Sequence, residues 1–324
     1  MLEYGIAFLV IFVLTLAIMP LLAKVATRLD FTDKPTERKK HKSPIPLSGG
    51  VAMFIGVSLG LFYMLFSGAD PALSRALLAM LGGAALIVIV GLVDDLSKAR
   101  FKEFPVLPRL FVQIGAASVA FAAGIRFTGF MNPFTDTYVE LHIALQFILT
   151  VLWFVGLITA FNFMDGLDGL SGLLAMVSGV TFFVVAIVTQ QPESAFMAAV
   201  FVAAVVGFLR YNLPPAKVYM GDSGAYLIGF MLAAISLQGA FKQATVISLT
   251  IPMLAMGVPI FDSILVVARR LMAHKPAHIA DSSNITHIHF RLLKNGMKPS
   301  HAVLMIFLLS ACLNLASIII LLAF

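Results

Sequence analysis

Thiols and charges are what this chain has least of. One cysteine, Cys312, stands among 324 residues, so neither a disulfide framework nor a thiolate metal site is available. Cys312 lies in an apolar run and is expected to be buried and inert. Charged residues make up 12% of the chain against 60% hydrophobic. That is too little charge for a soluble domain, and stretches of about 20 apolar residues recur throughout. The composition points to an all-α, polytopic membrane protein forming one domain over residues 1–324. No nucleic-acid partner is expected. The first four residues carry no Lys or Arg, so no signal peptide is expected either.

Ten apolar runs read as membrane-spanning helices, near 4–23, 47–67, 76–93, 106–124, 142–161, 170–189, 195–209, 223–238, 244–266 and 301–322. Alternating them with both termini outside leaves only Arg75, Arg126 and Lys242 among 22 Lys and Arg on the outer face. That bias sets the orientation. It also places Asp33, Asp94, Asp95, Asp165, Asp168 and Asp222 at the cytoplasmic face. Chemistry is therefore expected there, and the outer loop near 125–141 is assigned none. The spans do not form two matching halves, which weakens an inverted-repeat transporter.

Polar residues interrupt this apolar background in few places. The first is Asn162-Phe163-Met164-Asp165-Gly166-Leu167-Asp168-Gly169, between two apolar runs. A carboxylate near a bilayer centre costs at least about 2.5–3.5 kcal/mol, so two acids three residues apart suggest a polar chamber beside lipid. Asp94-Asp95-Leu96-Ser97-Lys98 ends the third span. Adjacent carboxylates repel unless a cation sits between them, and Lys98 could partner Asp94 across one helical turn. A bland alternative is an acid pair solvated at the helix end. Met220-Gly221-Asp222-Ser223-Gly224 opens the eighth span after a Pro-Pro loop, where Asp222 is either a helix cap or a ligand.

The first inner loop is basic through Lys42 and continues Pro44-Ile45-Pro46-Leu47-Ser48-Gly49-Gly50. It suits an anion site, although a lipid-headgroup anchor would explain the charge alone. The last inner loop holds His287-Ile288-His289-Phe290-Arg291, a pattern suited to phosphate. A His-only zinc site lacks its other ligands. Asp262 lies inside the ninth span and is either a functional group or, preferably, the partner of Arg269 or Arg270. Hard carboxylates without thiolates suit Mg²⁺, with Mn²⁺ as alternative. Together with the basic loops they suit phosphoryl transfer to or from a lipid.

Four of these motifs, in this order, resemble the polyprenyl-phosphate N-acetylhexosamine-1-phosphate transferases, over about residues 30–295. The resemblance implies transfer of a sugar 1-phosphate from a UDP-sugar to a polyprenyl phosphate, typically undecaprenyl phosphate, with release of UMP. It implies a Mg²⁺ requirement and a bacterial inner-membrane location. By matching motif, Asp94, Asp95, Asp165, Lys98 and His287 become catalytic, with Asp94 deprotonating or orienting the lipid phosphate. Lys42, Asn162, Asp168, Asn212, His289 and Arg291 contact substrate, with Asp168 and Asn212 nearer the uridine. Asp222 and Asp95 bind metal. A single in-line displacement is preferred over an aspartyl intermediate, because metal and basic side chains can stabilise the transferring phosphoryl without a covalent step.

The His-x-His pattern is similar to the branch that uses UDP-N-acetylglucosamine for teichoic acids, O-antigens and related polymers. The muramoyl-pentapeptide transferase of peptidoglycan synthesis, with three consecutive His there, is the alternative within the class. A cation-coupled transporter is the alternative outside it, disfavoured because the acids gather at one face. A CDP-alcohol phosphotransferase is set aside for lack of its motif. A homodimer is compatible with the sequence, which does not require one.

Overall fold

The computed structural model describes residues 1–34, 44–100, 104–132, 135, 137–239, 246–272 and 287–323, without side chains at 246–249. Its helices are α1 (Leu2–Arg28), α2 (Gly49–Phe66), α3 (Pro71–Ala99), α4 (Val106–Ala122), α5 (Ile143–Met164) and α6 (Leu170–Val188). They continue with α7 (Pro192–Asn212), α8 (Gly221–Gln238), α9 (Val246–Ala255), α10 (Gly257–Met272), α11 (Ile288–Lys294) and α12 (Pro299–Ala323). Seven of them are at least 18 residues long and apolar enough to cross a membrane. The remaining strands are two short antiparallel ribbons. β1 (Thr32–Asp33) pairs β2 (Ile45–Pro46), and β3 (Gly129–Met131) pairs β4 (Tyr138–Glu140). The protein is an all-α, multi-pass membrane protein.

Helices α7 and α8 form the centre. α7 packs on α6, α1 and α2, while α8 packs on α3 and α5. Both are apolar around their whole circumference, the pattern of a helix surrounded by others. In α8 nearly every residue from Gly221 to Gln238 is buried. α1 and α12, equally apolar, leave most of their surface exposed, which suits lipid contact. Cys312 is on that exposed surface of α12, correcting the expectation that it is buried. An apolar run marks a residue for exclusion from water, and lipid satisfies that as well as a core does.

The ten apolar runs all fall on helices, with two differences of consequence. α3 runs past the apolar stretch through Ala99, so Asp94, Asp95 and Lys98 belong to its last turns, in keeping with the Asp94–Lys98 spacing. Its start is fixed by Asp70, whose carboxylate accepts from the amides of Ala72 and Leu73 at 2.8 Å, with Pro71 in the first turn.

The ninth run is two helices, α9 and α10. The amide that would bond the Ala255 carbonyl belongs to residue 259, which is proline and has no N–H. Ser178 Oγ on α6 (2.7 Å) and Asn314 Nδ2 on α12 (3.0 Å) donate to that carbonyl instead. Side chains from two neighbouring helices thus replace the missing backbone donor, which a lipid environment demands.

Candidate active site

The polar motifs meet at one end of the bundle because the helices that carry them alternate in direction. α3 and α5 deliver their C-terminal ends there, and α8 delivers its N-terminal end. Gly91 lets α3 lie against α8: a Cβ at that position would collide with the backbone of Ser223. The next turn of α3 then puts Asp95 under the first amides of α8. Asp95 Oδ1 accepts from the Asp222 amide at 2.7 Å and Oδ2 from the Ser223 amide at 3.1 Å. Those amides are unpaired within α8 and attract negative charge. Gly221 at φ 69° makes the turn into α8, and a Cβ on it would strike the Asp95 carboxylate.

Three further side chains complete this cluster. Lys98 Nζ lies 2.5 Å from Asp222 Oδ2 and 3.7 Å from Asp94 Oδ2, so the helical Asp94–Lys98 pairing read from the sequence is present. Arg109, in the first turn of α4, donates from Nη1 to Asp94 Oδ2 at 2.7 Å. The Tyr226 hydroxyl lies 3.2 Å from both Asp94 Oδ2 and Asp222 Oδ2 and can donate to either. Asp94 Oδ1 is buried without a donor. The pair is therefore not a solvated helix end, since Asp94 is 0% and Asp95 2% exposed.

Asp165 caps the C-terminal end of α5. Burial first, then the charges of Asp222 and Asp95, push its carboxyl up to about 8. That is the response of acids crowded together with too little positive charge among them. Asp168 Oδ2 accepts from the Ala216 amide at 3.0 Å and is hydrogen bonded by Tyr219. Burial, with Asp168 and Asp33 nearby, pushes the Tyr219 hydroxyl up, so it stays protonated. Asn212 is buried. Its Oδ1 accepts from the Gly169 amide at 3.0 Å, and its Nδ2 donates to the Val218 carbonyl at 2.9 Å. Through these two bonds Asn212 ties the start of α6 to the loop before α8. Asn162 is half-buried in the last turn of α5.

The first inner loop joins the cluster through its backbone. The Tyr219 amide donates to the Pro46 carbonyl, and Gly49 and Gly50 donate to the carbonyls of Tyr219 and Met220, all at 3.0–3.1 Å. Lys42 lies outside the described residues. The last inner loop reaches the acid loop by ring contacts. The His287 ring is 4.6 Å from that of Phe163, and His289 lies against Gly166. His289 is fully buried with neither ring nitrogen hydrogen bonded. Burial first and His287 second lower its pKa to about 4. Its expected contact with substrate is not available in this conformation, because the ring is covered. Arg291 is exposed and forms no ion pair among the described residues.

Two residues were missed in the sequence or given the wrong partner. Arg109 counted only as an inner positive charge, although a cation in the first turn of a helix opposes the helix dipole and so signals a carboxylate nearby. Asp262 does not pair with Arg269 or Arg270. It bonds His287 Nδ1 at 2.6 Å and the Ile288 amide at 2.8 Å, at the start of α11.

The donor set suits a small hard cation used together with phosphates. No group of three or more protein ligands forms among the described residues, and Mg²⁺ usually takes only one or two carboxylates beside phosphate oxygens. Asp222, with Lys98 and Tyr226 on its Oδ2, and Asp165 are the acids of the cluster that could hold such a cation. Asp95, the other acid read from the sequence as a ligand, has one α8 amide on each oxygen.

The family model for glycosyl transferase family 4 matches residues 77–240. A probable undecaprenyl-phosphate N-acetylglucosaminyl 1-phosphate transferase of Bacillus subtilis is 33% identical over 98% of this chain and 85% of its own length. A decaprenyl-phosphate N-acetylglucosaminephosphotransferase of Mycobacterium tuberculosis is 33% identical over 88% of this chain and 74% of its own. An undecaprenyl-phosphate alpha-N-acetylglucosaminyl 1-phosphate transferase of Yersinia pestis is 30% identical over 95% and 82%. Matched by that family model over half its length and by these relatives along nearly all of it, the chain belongs to glycosyl transferase family 4.

Proposed function

We propose that the protein transfers N-acetylglucosamine 1-phosphate from UDP-N-acetylglucosamine to undecaprenyl phosphate at the cytoplasmic face of a bacterial inner membrane. The observation that carries this reading is the Asp94–Arg109–Lys98–Asp222 cluster at the membrane end of the bundle, beside the helix-α8 N-terminus. Such a site offers a phosphate fixed positive charge in a low dielectric. The names of the relatives support the amino sugar, although their lipid differs between decaprenyl and undecaprenyl. One continuous hydrophobic core from Ile11 to Ile306 supports a single domain.

In the reaction, an oxygen of the lipid phosphate attacks the sugar-bearing phosphorus of the donor. The bond from that phosphorus to the bridging oxygen breaks, and UMP leaves with that oxygen. Asp94, itself buried, orients the lipid phosphate by holding Arg109 and Lys98 towards it. Lys98 exchanges its contact with Asp222 for a donor phosphate oxygen. Asp95 acts by holding the start of α8. Asp222 and Asp165 would hold Mg²⁺, which supplies charge neutralisation on the transferring phosphoryl. Arg109 and Lys98 supply the same kind of stabilisation, which favours a single displacement.

The test is exchange of labelled UMP into UDP-N-acetylglucosamine by purified protein with undecaprenyl phosphate. Exchange that requires the lipid and is lost in Asp94→Asn supports the reading. Exchange only with UDP-N-acetylmuramoyl-pentapeptide would transfer the protein to the peptidoglycan reaction.

A further inference from the structure

The Asp262 carboxylate sits on α10, far along the chain from the acid cluster. It is 6% exposed at its side chain and has both oxygens in use: Oδ2 meets His287 Nδ1 at 2.6 Å and Oδ1 accepts from the Ile288 amide at 2.8 Å. The second bond satisfies a free amide at the start of α11 and fixes where that helix begins. The first fixes the ring that follows from it. A hydrogen bond needs a donor and a carboxylate only accepts, so with Asp262 as the acceptor the donating atom is Nδ1. The His287 ring is also gripped by its neighbours, 4.6 Å from Phe163 and parallel to His289 at 5.9 Å. Phe163 lies two residues before Asp165, so this assembly borders the acid loop.

We propose that Asp262 is a positioning residue of the transfer reaction: it holds the His287 ring in one orientation with the proton on Nδ1, leaving Nε2 as the nitrogen that meets the donor substrate. The proposal rests on the transferase reading above. A carboxylate behind a histidine acts through orientation and tautomer, and its amide counterpart presents the wrong tautomer. Asp262→Asn should do the same here for a geometric reason. The Ile288 amide can only donate, so the Asn oxygen must face it. The Asn NH₂ then faces Nδ1, which has to become the acceptor, and the proton moves to Nε2.

Two measurements on the full chain in nanodiscs test this. The first is ¹⁵N NMR of histidine-labelled protein, with the His287 signals among seven histidines identified by their loss in His287→Ala. The native protein should show a protonated Nδ1, and Asp262→Asn should move the proton to Nε2. A bare Nδ1 in the native protein overturns the proposal, and this holds even if the variant does not fold. The second is UMP exchange in a double-mutant cycle. Asp262→Asn should lower kcat by roughly 10–100-fold, and adding it to His287→Ala should cause no further loss beyond about threefold. Activity of Asp262→Asn within twofold of native, or losses that multiply in the double variant, would mean Asp262 does not act through His287. Native protein silent with UDP-N-acetylglucosamine would instead count against the transferase reading, while the NMR result would still judge the Asp262–His287 pair.

Discussion

Asp94 is buried and Arg109 half-buried, and the arginine makes the buried carboxylate tolerable. Removing one leaves an uncompensated charge, and here it also removes a cation aimed at the phosphates. Arg109→Gln is expected to lower kcat for UMP exchange by roughly 100-fold, and Arg109→Lys to retain part of it, because one ammonium reaches Asp94 without the planar fork. Steady-state kinetics on both variants checks this. His289 gives a pH dependence of stability. Its pKa is lowered from 6.5 to about 4 by burial and then by His287. The stability it contributes is present above pH 6.5 and is lost as pH falls towards 4. At pH 5 the loss is about 2 kcal/mol. Thermal unfolding of the native protein should therefore weaken between pH 7 and pH 5, and His289→Leu should flatten that change.

At the scale of elements, the break between α9 and α10 depends on two donors from other helices. Ser178→Ala and Asn314→Leu each remove one partner of the Ala255 carbonyl, at about 1 kcal/mol apiece. The double variant leaves that carbonyl bare and should lose more than the sum, as read from unfolding in a mild detergent. The start of α8 depends likewise on a single side chain from α3. Asp95→Ala strands the amides of Asp222 and Ser223, each worth about 1–3 kcal/mol when buried and unpaired. Activity and thermal stability should fall together in that variant. In Arg109→Gln activity should fall further than stability.

For the whole molecule, two properties are open to direct measurement. The charge bias predicts that Asn295 lies inside and Thr137, beside the β3–β4 ribbon, lies outside. In a Cys312→Ser background, a membrane-impermeant maleimide should label Thr137→Cys in intact cells and label Asn295→Cys only after permeabilisation. The reverse result would invert the orientation and move the acid cluster to the outer face. Chelation with EDTA should abolish UMP exchange and added Mg²⁺ should restore it. Exchange that survives chelation would remove the metal from Asp222 and Asp165.

The sequence by itself determined the membrane setting, the helices and the residues worth watching. Long apolar runs leave few structural choices in lipid, because backbone groups must be paired within the segment. Acids in such runs persist only where function or pairing holds them, so Asp94, Asp95, Asp165, Asp168 and Asp222 stood out, as did the Asp94–Lys98 spacing. Only the tertiary structure decided what each residue does. Asp95 caps a helix more than a hundred residues away, Asn212 ties two loops together, Arg109 answers Asp94, and Asp262 answers His287 rather than an arginine. The spacing of residues within one helix fixes neighbours at one turn. Partners across helices depend on how close two backbones approach, which small residues such as Gly91 set and which no one-dimensional pattern encodes.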